Sequence, residues 1–181
     1  RYDRIGALLE EAREVRPADV QAMQLDVYDQ LAAARLPELL RGVEPSTDAA
    51  RTCHEILGAW DHVASVDAAG PLAWAIFREE IVREALVDEL GEEGARTYES
   101  VTGSSRSLVT HGLELFLEDR VGSVDRALDS TCTRLAEGWG PEASGWSWGR
   151  AHVLSLEHPF GGRLPGWNMP PVPHPGSATT I

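Results

Sequence analysis

The sequence lacks several patterns that identify common classes of protein. No apolar run approaches the roughly 20 residues that a membrane-spanning helix needs, and no segment has the pattern of a signal peptide. Cys-x-x-Cys, His-x-x-x-His and a glycine-rich phosphate loop are absent, and we predict no nucleophile elbow. We therefore identify no self-contained catalytic motif in these residues.

Acidic side chains far outnumber basic ones. The 181 residues contain 29 Asp and Glu against 16 Lys and Arg, which gives a formal net charge of −13. This charge repels phosphate backbones, so we expect no nucleic acid among the partners. Because no apolar run is long enough to span a bilayer, we expect no membrane either. The length is sufficient for one buried core. Because the chain begins with Arg1 inside a predicted helix, we expect it to be a piece of a longer protein.

Only two cysteines are present, Cys53 and Cys132, and they lie on separate predicted helices. Two cysteines do not define a disulfide framework. We favour two buried thiols that act as small hydrophobic side chains. A single disulfide in an oxidising compartment is the alternative that the sequence leaves open.

Apolar residues at helical spacing dominate residues 1–140, which we predict to be a helical block. Residues 141–181 are rich in Trp, Gly and Pro, and we predict a long loop and a strand return toward a sheet that lies elsewhere. The fold class is therefore mainly α. The predicted helices cover residues 5–15, 17–40 with a break at Pro37, 48–60, 71 onward with an interruption at 91–94, 104–118, and 123–137 capped by Ser123.

Two short strands are predicted in the C-terminal part. Residues 151–157 alternate enough for one strand, and residues 177–181 resemble the opening of another. The segment between them, residues 158–176, is too rich in Pro and Gly for a regular element.

The histidines and tryptophans raise the question of a metal site or an aromatic ligand cage. His152 and His158 could meet only across a strand end and a turn, and ligand spacing for zinc is missing. We favour histidines that bond to backbone carbonyls and order the loop. The tryptophans are more often buried anchors, and we expect Trp146 and Trp148 to pin the loop onto the helices. The full sets are His54, His62, His111, His152, His158 and His174, with Trp60, Trp74, Trp139, Trp146, Trp148 and Trp167.

Paired acidic residues and clustered serines have simple structural interpretations. We interpret the acid pairs as solvated charge rather than acid–base dyads, and the serines as helix caps. These residues are Asp26 and Asp29, Glu79 and Glu80, Glu92 and Glu93, and Ser104, Ser105 and Ser107.

Five segments, in order along the chain, resemble the penicillin acylase (penicillin amidase) family of N-terminal-nucleophile hydrolases. They carry Arg-x-x-Arg-Ile-x-x-Leu-Leu, then Gln-x-Asp-Val-Tyr with Leu-Pro-x-Leu-Leu, then Leu-x-x-Trp-Asp. Trp-x-Trp-Gly-x-x-His with His-Pro-Phe follows, and then Pro-Gly-Ser with a threonine. Ser177 departs from the family, which usually has Asp there. The segments are residues 1–12, 17–40, 57–61, 146–160 and 175–179.

The resemblance implies the helical part of the β subunit of a four-layer αββα hydrolase. In that family an N-terminal serine attacks an amide carbonyl, its α-amine acts as base, and an Asn with backbone amides holds the oxyanion. Implied partners are the remainder of the β subunit, the α subunit and a small-molecule amide, such as a β-lactam or an N-acyl-homoserine lactone. The resemblance implies that the complete enzyme binds calcium, whereas we expect no cofactor in this chain. It also implies a periplasmic or secreted location.

One candidate site residue follows from the same resemblance. Arg1 aligns with the family arginine that helps to orient the nucleophile and the oxyanion Asn, a role that suits a permanent charge. The serine, the Asn and the calcium ligands precede it in the family, so we expect the isolated chain to be inactive.

Two other functions stay open at this point. A non-enzymatic helical module for protein interaction would use an unpaired C-terminal strand and the acidic surface. A metal hydrolase would use His152, His158 and an acidic partner.

Overall fold

The computed structural model describes residues 2–12, 14–102 and 117–180. It is mainly helical, as the sequence predicts, and it has one small antiparallel sheet near the C-terminus. The predicted helix at residues 104–118 and its serines fall almost wholly outside the described residues. The elements are α1 (Tyr2–Glu11), α2 (Pro17–Gln24), α3 (Gln30–Leu39), α4 (Asp48–Ala59), α5 (Gly70–Thr102), α6 (Arg120–Trp139), α7 (Trp148–Ala151), β1 (Val153–Leu156) and β2 (Met169–Pro173).

Helices α4, α5 and α6 form the centre of the core, and α3 packs against α4 and α6. Their apolar stripes meet in the interior, where complete burial of each large aliphatic side chain contributes about 1.5–3 kcal/mol. A disulfide joins Cys53 on α4 to Cys132 on α6, so the favoured interpretation of two free thiols is wrong. The pair forms because both cysteines lie on the facing stripes of packed helices. The largest fully buried apolar residues are Leu36, Leu39, Leu57, Phe77, Ile81, Leu128 and Leu135.

The segment predicted as one helix over residues 17–40 is two helices, α2 and α3. Between them the chain becomes extended, and Tyr28 forms a β-bridge with Val63. Asp29 then caps α3 by accepting a hydrogen bond from the Ala32 amide at 3.0 Å. Pro37 lies inside α3, and the Leu40 amide still donates to the Leu36 carbonyl at 2.9 Å, so the helix is not broken at this proline as predicted.

Two later helices allow the predicted helix interruption and the predicted helix cap to be compared with the structure. Within α5, Gly91 has φ 68° and ψ 170°, which bends the helix where the glycines predicted an interruption. Helix α6 begins three residues earlier than predicted, because Asp119 rather than Ser123 caps it and accepts from the Gly122 amide at 3.1 Å. Ser123 is buried inside the helix.

The C-terminal segment holds strand β2, although it was predicted to have no regular element. β1 and β2 pair antiparallel, with Val153 opposite Pro173 and Leu154 opposite Val172. A strand this rich in proline is tolerated here because the sheet has only two strands, and each leaves one edge without ladder hydrogen bonds. Residues 177–180 form a turn rather than the predicted strand, with the Thr180 amide 3.3 Å from the Ser177 carbonyl oxygen.

In the part of the chain that the structure describes, no helix combines the length and the apolarity needed to cross a bilayer.

Candidate functional site

Four segments that are distant in sequence meet at one hydrogen-bonded site, which we call the motif junction. The Ala64 amide donates to the Val27 carbonyl and the Gly176 amide to the Ala64 carbonyl, both at 2.8 Å. The Gly149 amide donates to the Val66 carbonyl at 2.7 Å. The loop after α4 is therefore the hub to which the other segments attach. The motif junction consists of residues 26–29, 62–68, 146–149 and 174–180.

Asp29 is the polar centre of the motif junction and is only 1% exposed. Besides capping α3, its carboxylate accepts hydrogen bonds from the Thr179 hydroxyl at 2.5 Å and from the Ser177 hydroxyl at 3.4 Å. The interpretation of Asp29 as solvated charge is therefore wrong. A buried carboxylate of this kind is retained because several donors replace the water that it loses.

Arg4 connects helix α1 to the motif junction. Its Nε and Nη2 atoms donate to the Asp26 carboxylate at 3.0 and 2.6 Å, and its guanidinium lies 4.7 Å from the centre of the Tyr28 ring. The hydrogen bonds from Arg4, and then one from the Tyr28 amide, lower the pKa of Asp26 below its ordinary value, against the effect of burial. Asp26 is thus an ion-pair partner rather than a free surface charge.

Arg1, the one candidate site residue from the sequence, lies outside the described residues. Its role therefore stays a prediction. Arg4, in the same motif, is the arginine that the structure bonds to Asp26 of the motif junction, and sequence reasoning did not single it out. The available signal was its place in Arg-x-x-Arg, three residues after Arg1 and so on the same face of a predicted helix.

The two tryptophans of the fourth motif pin the C-terminal part of the chain onto the helices, as predicted. Trp148 donates its indole N–H to the Gly176 carbonyl at 2.7 Å, and Trp146 donates to the Gly140 carbonyl at 2.8 Å. Both side chains are buried. Their role in the structure is packing with one satisfied polar atom, the common use of a buried tryptophan.

The histidines of this region order the backbone. The His152 ring lies 4.8 Å from Trp148 in a stacked arrangement and donates from Nδ1 to the His174 carbonyl at 2.7 Å. The His174 ring donates in the same way to the Pro175 carbonyl. The predicted bonding to backbone carbonyls is confirmed for these two.

His158 is placed apart from that group. Its Nδ1 accepts from the Phe160 amide at 3.1 Å, so it acts as an acceptor and not as the predicted donor, and its ring packs edge-on against Trp167.

Across residues 2–12, 14–102 and 117–180, no group of three or more His, Cys, Asp or Glu side chains is arranged to hold a metal ion. Among the described residues, His152 and His158 therefore do not belong to a cluster of three such side chains.

Residues 145–149 do contain the letters Gly-x-Ser-x-Gly, which sequence reasoning missed. A nucleophile elbow needs a strained turn that exposes its serine between a strand and a helix. Ser147 instead has φ −147° and ψ 144°, ordinary extended backbone, and follows a 3₁₀ turn at Ala143–Gly145. The Gly-x-Ser-x-Gly letters therefore do not form an elbow. They surround the buried anchor Trp148, which begins helix α7.

A cavity of about 420 Å³ opens beside the motif junction, between α5, α6, α7 and the C-terminal turn. Asp29, His152 and Ser177 all line it. They do not form a catalytic triad, because a triad places the histidine between the serine and the carboxylate. Here Ser177 bonds directly to Asp29 and the His152 Nδ1 is used by a carbonyl.

An ion pair between Arg134 and Glu79 also lines this cavity. Arg134 on α6 donates to Glu79 at 3.0 Å and also contacts Glu80, which is buried. The interpretation of these two acids as solvated charge is thus wrong for Glu80 and incomplete for Glu79. The third pair, Glu92 and Glu93, is exposed as predicted.

Close packing at Gly149 gives a test of the motif junction. A Cβ atom there would lie 2.9 Å from the Pro173 Cβ and 3.1 Å from the Val66 carbonyl oxygen. We expect Gly149→Ala to lower the free energy of unfolding by about 1–3 kcal/mol, because backbone must move. Gly138→Ala is the control: its Cβ meets nothing within 4 Å on α6, and we expect a gain of about 0.5–1 kcal/mol. Urea unfolding measures both, and equal effects would contradict the packing described.

The motif junction explains why the five family-like segments belong together, since each contributes a contact to it or to the helix attached by Arg4. No curated protein matches the chain. The sequence model of the penicillin amidase family matches residues 1–181, the whole chain. This protein chain belongs to the penicillin amidase family.

Proposed function

We propose that this chain is part of an amidohydrolase of the penicillin acylase type, which cleaves the amide bonds of acylated small molecules. β-Lactams and N-acyl-homoserine lactones are the proposed substrate classes. The observation that carries the proposal is the family match over residues 1–181, in a chain whose family-like segments converge on one site.

The proposed nucleophile is an N-terminal serine outside these 181 residues. Its hydroxyl attacks the amide carbonyl while its own α-amine takes the proton, and the acyl-enzyme that forms is then hydrolysed. In this scheme Arg1 orients the serine. The bidentate ion pair of Arg4 with Asp26 holds α1, the helix that directly follows Arg1, onto the motif junction. The structural role of this chain is to position that arginine.

We propose the remainder of the β subunit and the α subunit as partners. The β1–β2 hairpin supports this proposal because it exposes large apolar side chains along both strands, and a two-stranded sheet is marginally stable by itself. A larger hydrolase would cover this surface. The exposed residues include Val153, Leu154, Leu156, Met169 and Val172.

We also propose that the complete protein is periplasmic or secreted. The disulfide between Cys53 and Cys132 supports export, since disulfides persist in oxidising compartments and are rare in the cytosol.

Intact mass and N-terminal sequencing of the protein from its native source test the proposal. We expect a larger subunit that begins with Ser and contains Arg1 in its interior. We expect that protein to hydrolyse a chromogenic acyl-amide and the isolated 181-residue chain to give no turnover, because only the former contains the nucleophile.

Replacement of the N-terminal serine by alanine in the native protein is the control and should abolish turnover. Turnover by the isolated chain would contradict the placement of the nucleophile. A native chain that begins at Arg1 would instead support the interaction module.

A further inference from the structure

The two strands of the C-terminal hairpin have outer edges of different composition. Strand β2 contains Pro170, Pro171 and Pro173, which have no backbone N–H to donate. Strand β1 contains no proline and no charged residue, so each of its residues carries both a backbone donor and a backbone acceptor. Natural sheets usually protect an exposed edge with prolines or charges, and in this hairpin the β2 edge has that protection while the β1 edge does not.

The register identifies the backbone groups of β1 that face outward. The His174 amide donates to the His152 carbonyl at 3.0 Å, so these two residues form a hydrogen-bonded pair of the ladder. Val153 and Pro173 form the next pair. Because bonded and non-bonded pairs alternate in an antiparallel ladder, the Val153 N–H and C=O groups point away from β2. The register shift that follows places its extra residue on β2, so the alternation continues along β1 and Ser155 also faces outward.

The outer edge of β1 is uncovered in the part of the chain that the structure describes. The described residues form one sheet, which consists of β1 and β2. Helix α7 packs against β2, since a Cβ atom at Gly149 would lie 2.9 Å from the Pro173 Cβ. All four residues of β1 are exposed, and its three large apolar side chains are 38–52% exposed. A row of backbone donors and acceptors therefore faces solvent beside an apolar surface.

The sequence of β1 is typical of a strand inside a larger sheet. Successive side chains of a strand point to opposite faces, so Val153 lies on one face and Leu154 and Leu156 lie on the other. Strands with apolar side chains on both faces are usually buried on both, as inner strands are. Backbone groups on the open edge and apolar groups on both faces together favour a β-strand as the occupant.

The charges of the hairpin indicate where that strand comes from. Between Val153 and Pro173 the chain contains one carboxylate, that of Glu157, and one guanidinium, that of Arg163, whereas the whole chain has a formal net charge of −13. Depletion of charge is typical of the buried centre of an interface. A second copy of this chain is disfavoured as the occupant, because two chains of charge −13 repel each other.

We propose that a further β-strand, from the part of the complete protein outside these 181 residues, joins the sheet along the outer edge of β1. Its backbone bonds to the N–H and C=O groups of Val153 and Ser155, and its apolar side chains extend the two faces of the sheet. The prolines close the β2 edge, so the sheet grows on one side. This inference rests on the proposed function, which supplies the larger protein.

Hydrogen exchange in the complete protein from its native source, resolved to single residues by mass spectrometry, tests the proposal. The Leu154 amide is the internal reference, because Leu154 and Val172 form a hydrogen-bonded pair within the hairpin. We expect the Val153 and Ser155 amides to exchange as slowly as the Leu154 amide. If the edge is open in the complete protein, these two amides exchange at least about tenfold faster than the reference, which would overturn the proposal.

Two variants of the complete protein separate the backbone bond from the side chain. Val153→Pro and Val153→Ala both remove the valine side chain, but only the proline removes the outward amide. We expect the Ser155 amide to lose protection in Val153→Pro and to keep it in Val153→Ala, because the added strand detaches only in the first. Equal protection of Ser155 in the two variants would contradict strand addition. If Val153→Pro does not fold, the exchange of the unmodified protein still decides the question.

Turnover of a chromogenic acyl-amide by the same preparation distinguishes this inference from the proposed function. Turnover with fast exchange at Val153 and Ser155 would overturn the added strand alone, and slow exchange without turnover would overturn the hydrolytic activity alone. Protection that decreases on dilution would identify a second copy as the occupant and overturn the assigned source of the strand. A native protein of only these 181 residues, recognised by its intact mass, would overturn both.

Discussion

Replacement of Asp29 by alanine is expected to lower the free energy of unfolding by about 3 kcal/mol. Loss of the α3 cap contributes about 1 kcal/mol. The remainder comes from the hydroxyls of Thr179 and Ser177, which lose their acceptor in a largely buried site, at about 1–3 kcal/mol for an unsatisfied group. Urea unfolding followed by circular dichroism measures the change. Because the carboxylate holds the C-terminal turn, we also expect residues 174–180 to lose hydrogen-exchange protection.

Asp67→Ala is the matched control for that experiment. Asp67 is an exposed aspartate in the same loop as the hub of the motif junction, and its replacement should change stability by less than about 0.5 kcal/mol. Similar losses for the two variants would contradict the central position of Asp29. A loss confined to Asp29→Ala, without change at residues 174–180, would mean that only the helix cap matters.

Removal of the disulfide is expected to have the largest effect on stability. Cys53 and Cys132 are 79 residues apart, and the chain-entropy relation gives about 4.5 kcal/mol for a loop of that length. We therefore expect the double variant Cys53→Ala, Cys132→Ala to unfold at a much lower denaturant concentration than the oxidised chain. Both cysteines are buried between α4 and α6, so the loss of sulfur atoms adds a smaller packing term.

Reduction of the unmodified chain is the control, since it breaks the link without changing any residue. The reduced chain and the double variant should have similar stabilities, both well below that of the oxidised chain. Two thiols titrating in the denatured, unreduced protein would contradict the disulfide directly.

The helical block illustrates what local sequence information predicts well. The apolar stripes of α4 and α6 and the first half of α5 are long and regular, and the glycine bend at Gly91 is a local backbone preference. The anchoring by Trp146 and Trp148 was also predictable, since buried indoles commonly serve as large apolar anchors with one bonded N–H, although Trp167 in the same part of the chain is exposed.

The candidate site was only partly predictable. The family-like motifs were visible in the sequence, but nothing local showed that Asp29 would be buried while Glu92 stays in solvent. The difference arises because Asp29 faces Thr179 and Ser177, about 150 residues away in the chain, whereas Glu92 pairs with an exposed arginine, Arg83.

The sequence by itself determined the helix-rich class, the acidic surface and the resemblance to the penicillin amidase family, because these depend on composition, periodicity and short motifs. Only the tertiary structure decided the split between α2 and α3, the proline-rich strand β2, the pairing of Cys53 with Cys132 and the motif junction. Each of these depends on a partner from a distant part of the chain, and the free energy of such a contact overrides the small local preferences that sequence patterns report.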